Sequence, residues 1–240
     1  MAQNRWWAKV LRVLGIILMG ITAAFTIMSG AGTTCVALAA EKFGPNMAPL
    51  APYQWLYIIF VLVTTAIGVM GVRATVLLVK GRSNAYRYAI IALILGILVG
   101  VIHMVVSRSL RGKSMPVDAV VYITVLTLIV FLIFRIPAIW RGVNFDKTSR
   151  DHTGAVAGGM AMMLGSIAVL TVPLWAAATH TFTPGGTNWA DAWHWQLNLL
   201  GALFILGGLL FTISPILKKM WGEGVLRQAV LGEEAAAKNV

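Results

Sequence analysis

Six long apolar stretches recur along this chain. Each is near or above the roughly 20 residues that an α-helix needs to cross a bilayer. They cover residues 10–31, 53–79, 88–106, 117–139, 155–178 and 195–217. None shows the strict alternation of apolar and polar residues that a membrane β-strand requires. The pattern therefore predicts an all-α fold class, namely a polytopic transmembrane helix bundle with six spans.

The composition excludes several classes of protein. Hydrophobic residues make up 59% of the chain and charged residues only 11%, whereas soluble domains have about 45–50% and about 25%. The net charge of +11 lies in short basic clusters between apolar runs, which is typical of membrane topology and contact with anionic lipid. We therefore expect the lipid bilayer as a partner and no nucleic acid, and we exclude a soluble enzyme and a disordered protein.

The basic clusters also predict an orientation. They lie at the N-terminus, in the second and fourth connections and after the sixth span: Arg5, Lys9, Arg12; Lys80, Arg82, Arg87; Arg141, Lys147, Arg150; Lys218, Lys219, Arg227, Lys238. In a six-span topology all of them lie on one side, which the positive-inside rule makes cytoplasmic. We therefore predict a membrane domain over residues 1–217 and a basic cytoplasmic tail over 218–240. Both termini are then cytoplasmic in a multi-pass cell-membrane protein, or an inner-membrane protein if it is bacterial.

The first span has an alternative interpretation as a cleaved signal peptide. It has a basic start, and residues 37–39 read Ala-Leu-Ala, a small-residue cleavage pattern. Its apolar stretch is longer than the roughly 7–15 residues of a signal peptide, and the cleavage pattern lies far from the end of that stretch. We therefore expect the first span to be retained.

Small residues and prolines predict how the helices pack. Glycine pairs four residues apart let helix backbones approach closely; the pairs are Gly96 with Gly100 and Gly154 with Gly158. They indicate packing either within the chain or against a partner subunit. Pro173 and Pro215 are expected to kink or end the fifth and sixth helices, with Thr171 and Ser214 near enough to bond the freed backbone groups.

Histidines are the candidate ligands for a metal or haem. His103 shares a helix face with Gly96 and Gly100, so we expect it to face the bundle. His180, Asp191 and His194 lie in or near the fifth connection, on the predicted outer side. Together these four residues could bind copper or zinc, or ligate haem iron, but their spacing matches no metal signature. A packed histidine and a helix-start aspartate are the alternatives.

The third connection is the most unusual one, because it is basic on the predicted outer side. Arg108, Arg111 and Lys113 lie there, followed by Asp118. One interpretation is a loop in which these charges pair with each other. The other is a site for an anion, such as a lipid headgroup or the phosphate or carboxylate of a ligand.

The sequence lacks dedicated catalytic machinery. It contains no HExxH, GxSxG, Walker or dinucleotide-binding motif, and no carboxylate lies at the centre of a predicted span, as a coupled pump would require. Three interpretations follow. The first is a helix-packing subunit within a larger membrane assembly, with a polar His/Arg surface at its outer end. The second is a redox, metal or haem protein that uses outer-side histidines, and the third is a passive carrier or channel for a small solute.

Overall fold

Every regular element in the described part of the chain is helical. The computed structural model describes residues 6–43, 45–146, 153–176 and 192–237. The α-helices are α1 Trp6–Ala39, α2 Gln54–Lys80, α3 Ala85–Arg111, α4 Val117–Phe134, α5 Pro137–Val143, α6 Thr153–Leu170, α7 Val172–Ala176 and α8 His194–Ala237. Two short 3-10 helices, Ala40–Phe43 and Ala48–Tyr53, lie between α1 and α2.

Six of these helices are long and apolar enough to cross a membrane: α1, α2, α3, α4, α6 and the first part of α8. The predicted all-helical architecture with six apolar spans is confirmed at this level. The side of the membrane that each end faces stays a prediction.

Two glycines mark the turns between antiparallel helices and give names to the two ends of the bundle. Gly81, with φ 59°, ends α2, and Gly112, with φ 71°, ends α3. Only glycine adopts this left-handed backbone without a steric cost. We call the two ends of the α1–α4 bundle the Gly81 end and the Gly112 end. The 3-10 helices lie at the Gly112 end, and α5 lies at the Gly81 end.

Helix α1 lies at the centre, in contact with α2, α4 and α6. The glycine pairs support close packing within the chain. A Cβ added to Gly100 would lie 2.8 Å from Val121 of α4, and one added to Gly158 would lie 3.2 Å from Val79 of α2. Both glycine pairs that stand out in the sequence therefore pack against helices of the same chain.

Helices α6 and α8 form an antiparallel pair at the side of the bundle. Their backbones cross closely, since a Cβ added to Gly208 would lie 2.7 Å from the Gly159 carbonyl oxygen. Helix α8 continues through residue 215 to Ala237, so Pro215 does not end it. The Ser214 hydroxyl donates to the Phe211 carbonyl at 3.1 Å, which is the carbonyl that a proline at 215 leaves without its usual helical donor.

The predicted ends of the fourth and fifth spans need correction. Helix α4 ends at Phe134 rather than at residue 139, because Pro137 forces Ile136 out of the helical conformation (ψ 126°) and starts α5. Helix α6 ends at Leu170 rather than at residue 178, two residues before the segment that contains Pro173. There Thr171 donates its hydroxyl to the Ile167 carbonyl at 2.7 Å, as expected for a helix end near a proline.

Candidate functional site at the Gly112 end

His103 lies inside the bundle near the Gly112 end of α3. Its residue surface is only 3% exposed. The ring stacks on Phe60 at 4.4 Å between centroids and meets the Tyr57 ring edge-on at 5.4 Å. The prediction that His103 faces the bundle is therefore confirmed, and the helical spacing from Gly96 and Gly100 is the reason.

Tyr57 and Ser107 continue this polar group one turn closer to the Gly112 end. Their hydroxyl groups are hydrogen-bonded to each other at 2.8 Å. Both residues are buried, in a part of the bundle that apolar helices surround. Burying hydroxyl groups in an apolar environment costs free energy unless they are hydrogen-bonded. The bond between Tyr57 and Ser107 lowers this cost, because one of the two hydroxyl groups donates to the other.

A cavity of about 50 Å³ lies beside these groups, lined by α1, α2, α3, the segment between α1 and α2, and the turn that leads into α4. Its polar lining includes Thr33, Cys35, Tyr57, His103, Ser107 and Arg111. A cavity needs about 10–15 Å³ to hold one water molecule, so this one has room for a few waters or one small solute.

A smaller cavity of about 20 Å³ lies further inside the bundle. It shares Ser29 and His103 with the first cavity and adds the hydroxyl groups of Thr26 and Thr64. The two cavities are thus neighbours, and they lie between the Gly112 end and the middle of α1–α4 with polar groups in a largely apolar lining.

Arg108 and Asp118 form an ion pair across the turn between α3 and α4. The Arg108 Nη2 lies 2.9 Å from Asp118 Oδ2, and the Arg108 Nε donates to the Ser114 hydroxyl at 2.9 Å. Ser114 in turn donates to the other Asp118 oxygen. For Arg108, then, the geometry is that of a loop whose charges pair locally, the first of the two interpretations of this connection.

Arg111 has a different environment. Its side chain lines the larger cavity and donates through Nη2 to the Met115 carbonyl at 2.9 Å. Its Nε is buried and has no acceptor among the described residues, and the ion pair found at this end in the described ranges is that of Arg108. Lys113 is exposed. Arg111 is therefore the cation of this connection that reaches the cavity.

The candidate metal or haem ligands fall only partly within the described ranges. His180 and Asp191 lie outside the described residues. His194 is exposed on α8 and its Nε2 lies 2.8 Å from the Asn198 side-chain amide. Within the ranges that the structure describes, no three His, Cys, Asp or Glu side chains come together as a metal site. A metal or haem site at these positions stays a prediction.

Sequence reasoning missed the contribution of α1 to this site. Thr22, Thr26, Ser29 and Thr33 are all buried, and Ser29 and Thr33 line the larger cavity. The signal was present in the sequence, because steps of four, three and four residues place side chains on one face of a helix. Tyr57 was also missed; it was interpreted only by its position within a span.

No protein-family model matches the chain, and neither a curated protein nor a solved structure shows significant similarity to it. The function therefore has to be argued from the geometry of this site alone.

Proposed function

We propose that this integral membrane protein is a passive carrier for a small polar solute, which enters the α1–α4 bundle at the Gly112 end. The observation that carries the proposal is the pair of adjoining cavities, which share Ser29 and His103. Intramembrane polar groups are costly and commonly mark solute pathways. A bundle that needed only stability would fill this space with apolar side chains, as protein interiors are otherwise close-packed.

The packing between the smaller cavity and the Gly81 end favours a carrier over an open channel. Beyond the smaller cavity, the hydroxyl groups of Thr22 and Thr127 are hydrogen-bonded at 2.8 Å. Closer to the Gly81 end, the rings of Phe131, Phe134 and Phe145 pack together with centroids 5.6–5.8 Å apart. A solute in the cavity can leave toward the Gly81 end only after these helices rearrange.

A reconstituted system with one native thiol tests the carrier. Cys35 is the only cysteine of the chain and lines the larger cavity. In proteoliposomes we expect osmotic swelling driven by urea, or by potassium formate or potassium nitrate with valinomycin to carry the counter-ion, to be faster for at least one solute than in equally treated empty liposomes. N-ethylmaleimide should slow that swelling, because the attached group fills the cavity.

The Cys35→Ala variant is the matched control. It should swell like the untreated protein and should be insensitive to N-ethylmaleimide. Equal swelling of proteoliposomes and empty liposomes for all three solutes would contradict the carrier, as would a Cys35 that no small reagent reaches in the folded protein.

A second candidate function is membership in a larger membrane assembly. The glycine pairs no longer argue for it, since they pack within the chain. It is favoured by α8, of whose membrane-length apolar segment only 11% is buried. Native mass spectrometry after extraction into lipid nanodiscs would detect a second subunit. A measured mass equal to that of one chain would argue against a partner subunit, and the exposed apolar surface of α8 would then contact lipid.

The redox alternative has its own measurement. An absorption spectrum and metal analysis of the purified protein would reveal bound haem, copper or zinc. The described residues add nothing that favours this function, because His103 is packed between aromatic rings and His194 is exposed on α8.

A further inference from the structure

We infer that the solute taken up by the larger cavity is a small monovalent anion and that Arg111 selects it. This inference rests on the proposed carrier function. Three properties of the cavity carry it: the sign of its charge, the hydrogen-bonding groups in its wall and its size.

The charge of the cavity wall is positive. Arg111 is in the lining, and no Asp or Glu is among the residues that line the cavity in the described part of the chain. Asp118 is already engaged by Arg108 and Ser114, and Glu41 is exposed. A cation in this cavity would meet an arginine and no carboxylate among the described lining residues, whereas an anion would gain a charge-assisted contact.

The polar groups of the wall can donate hydrogen bonds. The Arg111 side chain lines the cavity and carries five N–H donors, and the hydrogen bond found for it in the described ranges is that of Nη2 to the Met115 carbonyl. Tyr57 and Ser107 carry two hydroxyl protons, and their mutual hydrogen bond uses only one of them. A neutral His103 has one ring N–H, and no hydrogen bond of its ring is found in the described ranges. An anion accepts from all of these groups, so it satisfies donors that the protein alone leaves open.

The size of the cavity restricts the anion. A volume of about 50 Å³ holds roughly three or four water molecules. A halide, nitrate or formate ion fits this space. A nucleotide or a complete lipid headgroup does not. We therefore assign the site to a free small anion rather than to an anionic lipid.

Cys35 provides a test that does not depend on the identity of the natural solute. Iodoacetate and iodoacetamide are similar in size, but only iodoacetate is charged, and each alkylates a thiol with loss of iodide. We would measure the ratio of their rates at Cys35 in phosphatidylcholine nanodiscs, which contain no anionic lipid. The Arg111→Gln variant should lower the iodoacetate-to-iodoacetamide ratio roughly tenfold, the loss expected for a hydrogen-bonded charge.

Two variants control for charge and for folding. Lys113→Gln removes one positive charge from the same turn, but Lys113 is exposed and does not line the cavity, so the ratio should stay at the wild-type value. Arg111→Lys keeps the charge and should retain most of the preference. Sodium nitrate or sodium formate should also protect Cys35 in the wild type and fail to protect it in Arg111→Gln.

The outcomes separate this inference from the carrier function. If both reagents reach Cys35 but Arg111→Gln and Lys113→Gln give the wild-type ratio, the anion assignment is overturned and the carrier function stands. If nitrate and formate leave the wild-type rates unchanged, the anion assignment also fails, even where Arg111→Gln does not fold. If neither reagent reacts before the protein is denatured, the cavity admits no solute and both proposals fail.

Discussion

Arg12 and Arg111 lie at opposite ends of the α1–α4 bundle, and the protein uses them differently. At the Gly81 end, Arg12 is 4% exposed. Its guanidinium donates to the carbonyls of Asn144 at 3.0 Å, Val143 at 3.3 Å and Leu78 at 3.4 Å. It therefore joins α1 to the end of α2 and to the end of α5.

The packing around the two arginines differs as well. Near Arg12, a Cβ added to Gly15 would lie 2.8 Å from both Phe134 and Phe145, so the helices are closely packed at this position. Arg111 instead borders a cavity of about 50 Å³. Both arginines donate to backbone carbonyls, so such a bond alone does not separate a structural role from a binding role. The difference lies in what else surrounds them: Arg12 is packed among three carbonyl acceptors, whereas Arg111 also borders a cavity.

The largest expected effect concerns the sides of the membrane that the two ends face. In a Cys35→Ala background, Lys113→Cys places a thiol at the Gly112 end and Ser83→Cys places one at the Gly81 end. Both positions are exposed in turns. The positive-inside rule predicts that a membrane-impermeant thiol reagent labels only Lys113→Cys in intact cells. Labelling of both from outside would show that α3 does not cross the membrane.

Removing Arg12 should destabilise the protein far more than removing an exposed arginine at the same end. Arg12→Met leaves three carbonyls without a charged donor, and hydrogen bonds to charged groups contribute roughly 1.5–3 kcal/mol each. We expect the free energy of unfolding in mixed micelles to fall by about 3 kcal/mol. Arg82→Met is the matched control, since Arg82 is exposed at the Gly81 end. Equal stability of the two variants would remove the structural role of Arg12.

The sequence predicted the spans well because each needs only length and hydropathy, which are local properties. It also predicted that His103 faces inward, since Gly96 and Gly100 mark the packed face of α3. The end of α4 was missed although its signal was present: Pro137 lies within the apolar run and restricts Ile136. A criterion of hydropathy alone does not register such a break.

The different roles of Arg12 and Arg111 could not be predicted from the sequence. Both belong to basic clusters near span ends, so the neighbouring sequence does not distinguish one arginine from the other. The acceptors of Arg12 include Val143 and Asn144, which are 131 and 132 residues away along the chain. Only the tertiary packing of α1 against the ends of α2 and α5 brings these groups together. The cavity beside Arg111 depends equally on tertiary packing, since α1, α2 and α3 all line it.

Two glycine substitutions should measure the difference in packing density. Gly15→Ala inserts a methyl group against Phe134 and Phe145, and we expect a loss of about 2 kcal/mol of unfolding free energy. Gly96 lines the smaller cavity, and a Cβ there would lie 3.4 Å from Thr124, an ordinary contact. Gly96→Ala should therefore leave stability unchanged or slightly raised, because alanine favours a helix over glycine. Equal losses would contradict the difference in packing.

Changing Asp118 tests whether charge near the larger cavity controls how readily anions reach Cys35. Asp118→Asn removes the negative charge that pairs with Arg108 and leaves the cavity end more positive. The iodoacetate-to-iodoacetamide ratio at Cys35 should then rise by about twofold or more, because a local excess of positive charge concentrates anions. Arg12→Met, at the opposite end, should leave the ratio unchanged. A fall in the ratio for Asp118→Asn would mean that the ion pair itself attracts the anion.

The smallest expected effect is at the boundary between the two regions, where the Thr22 and Thr127 hydroxyl groups are hydrogen-bonded at 2.8 Å. Interhelical hydrogen bonds in membranes contribute about 0.6 kcal/mol on average, because the separated helices find other partners. A double-mutant cycle with Thr22→Val and Thr127→Val, which keep the side-chain shape, should give a coupling free energy of that size. The alkylation ratio at Cys35 should not change, since neither threonine carries charge. A coupling of zero would show that the two hydroxyl groups are not bonded in the bilayer, and the closure between the cavities and the Gly81 end would then rest on the phenylalanine rings alone.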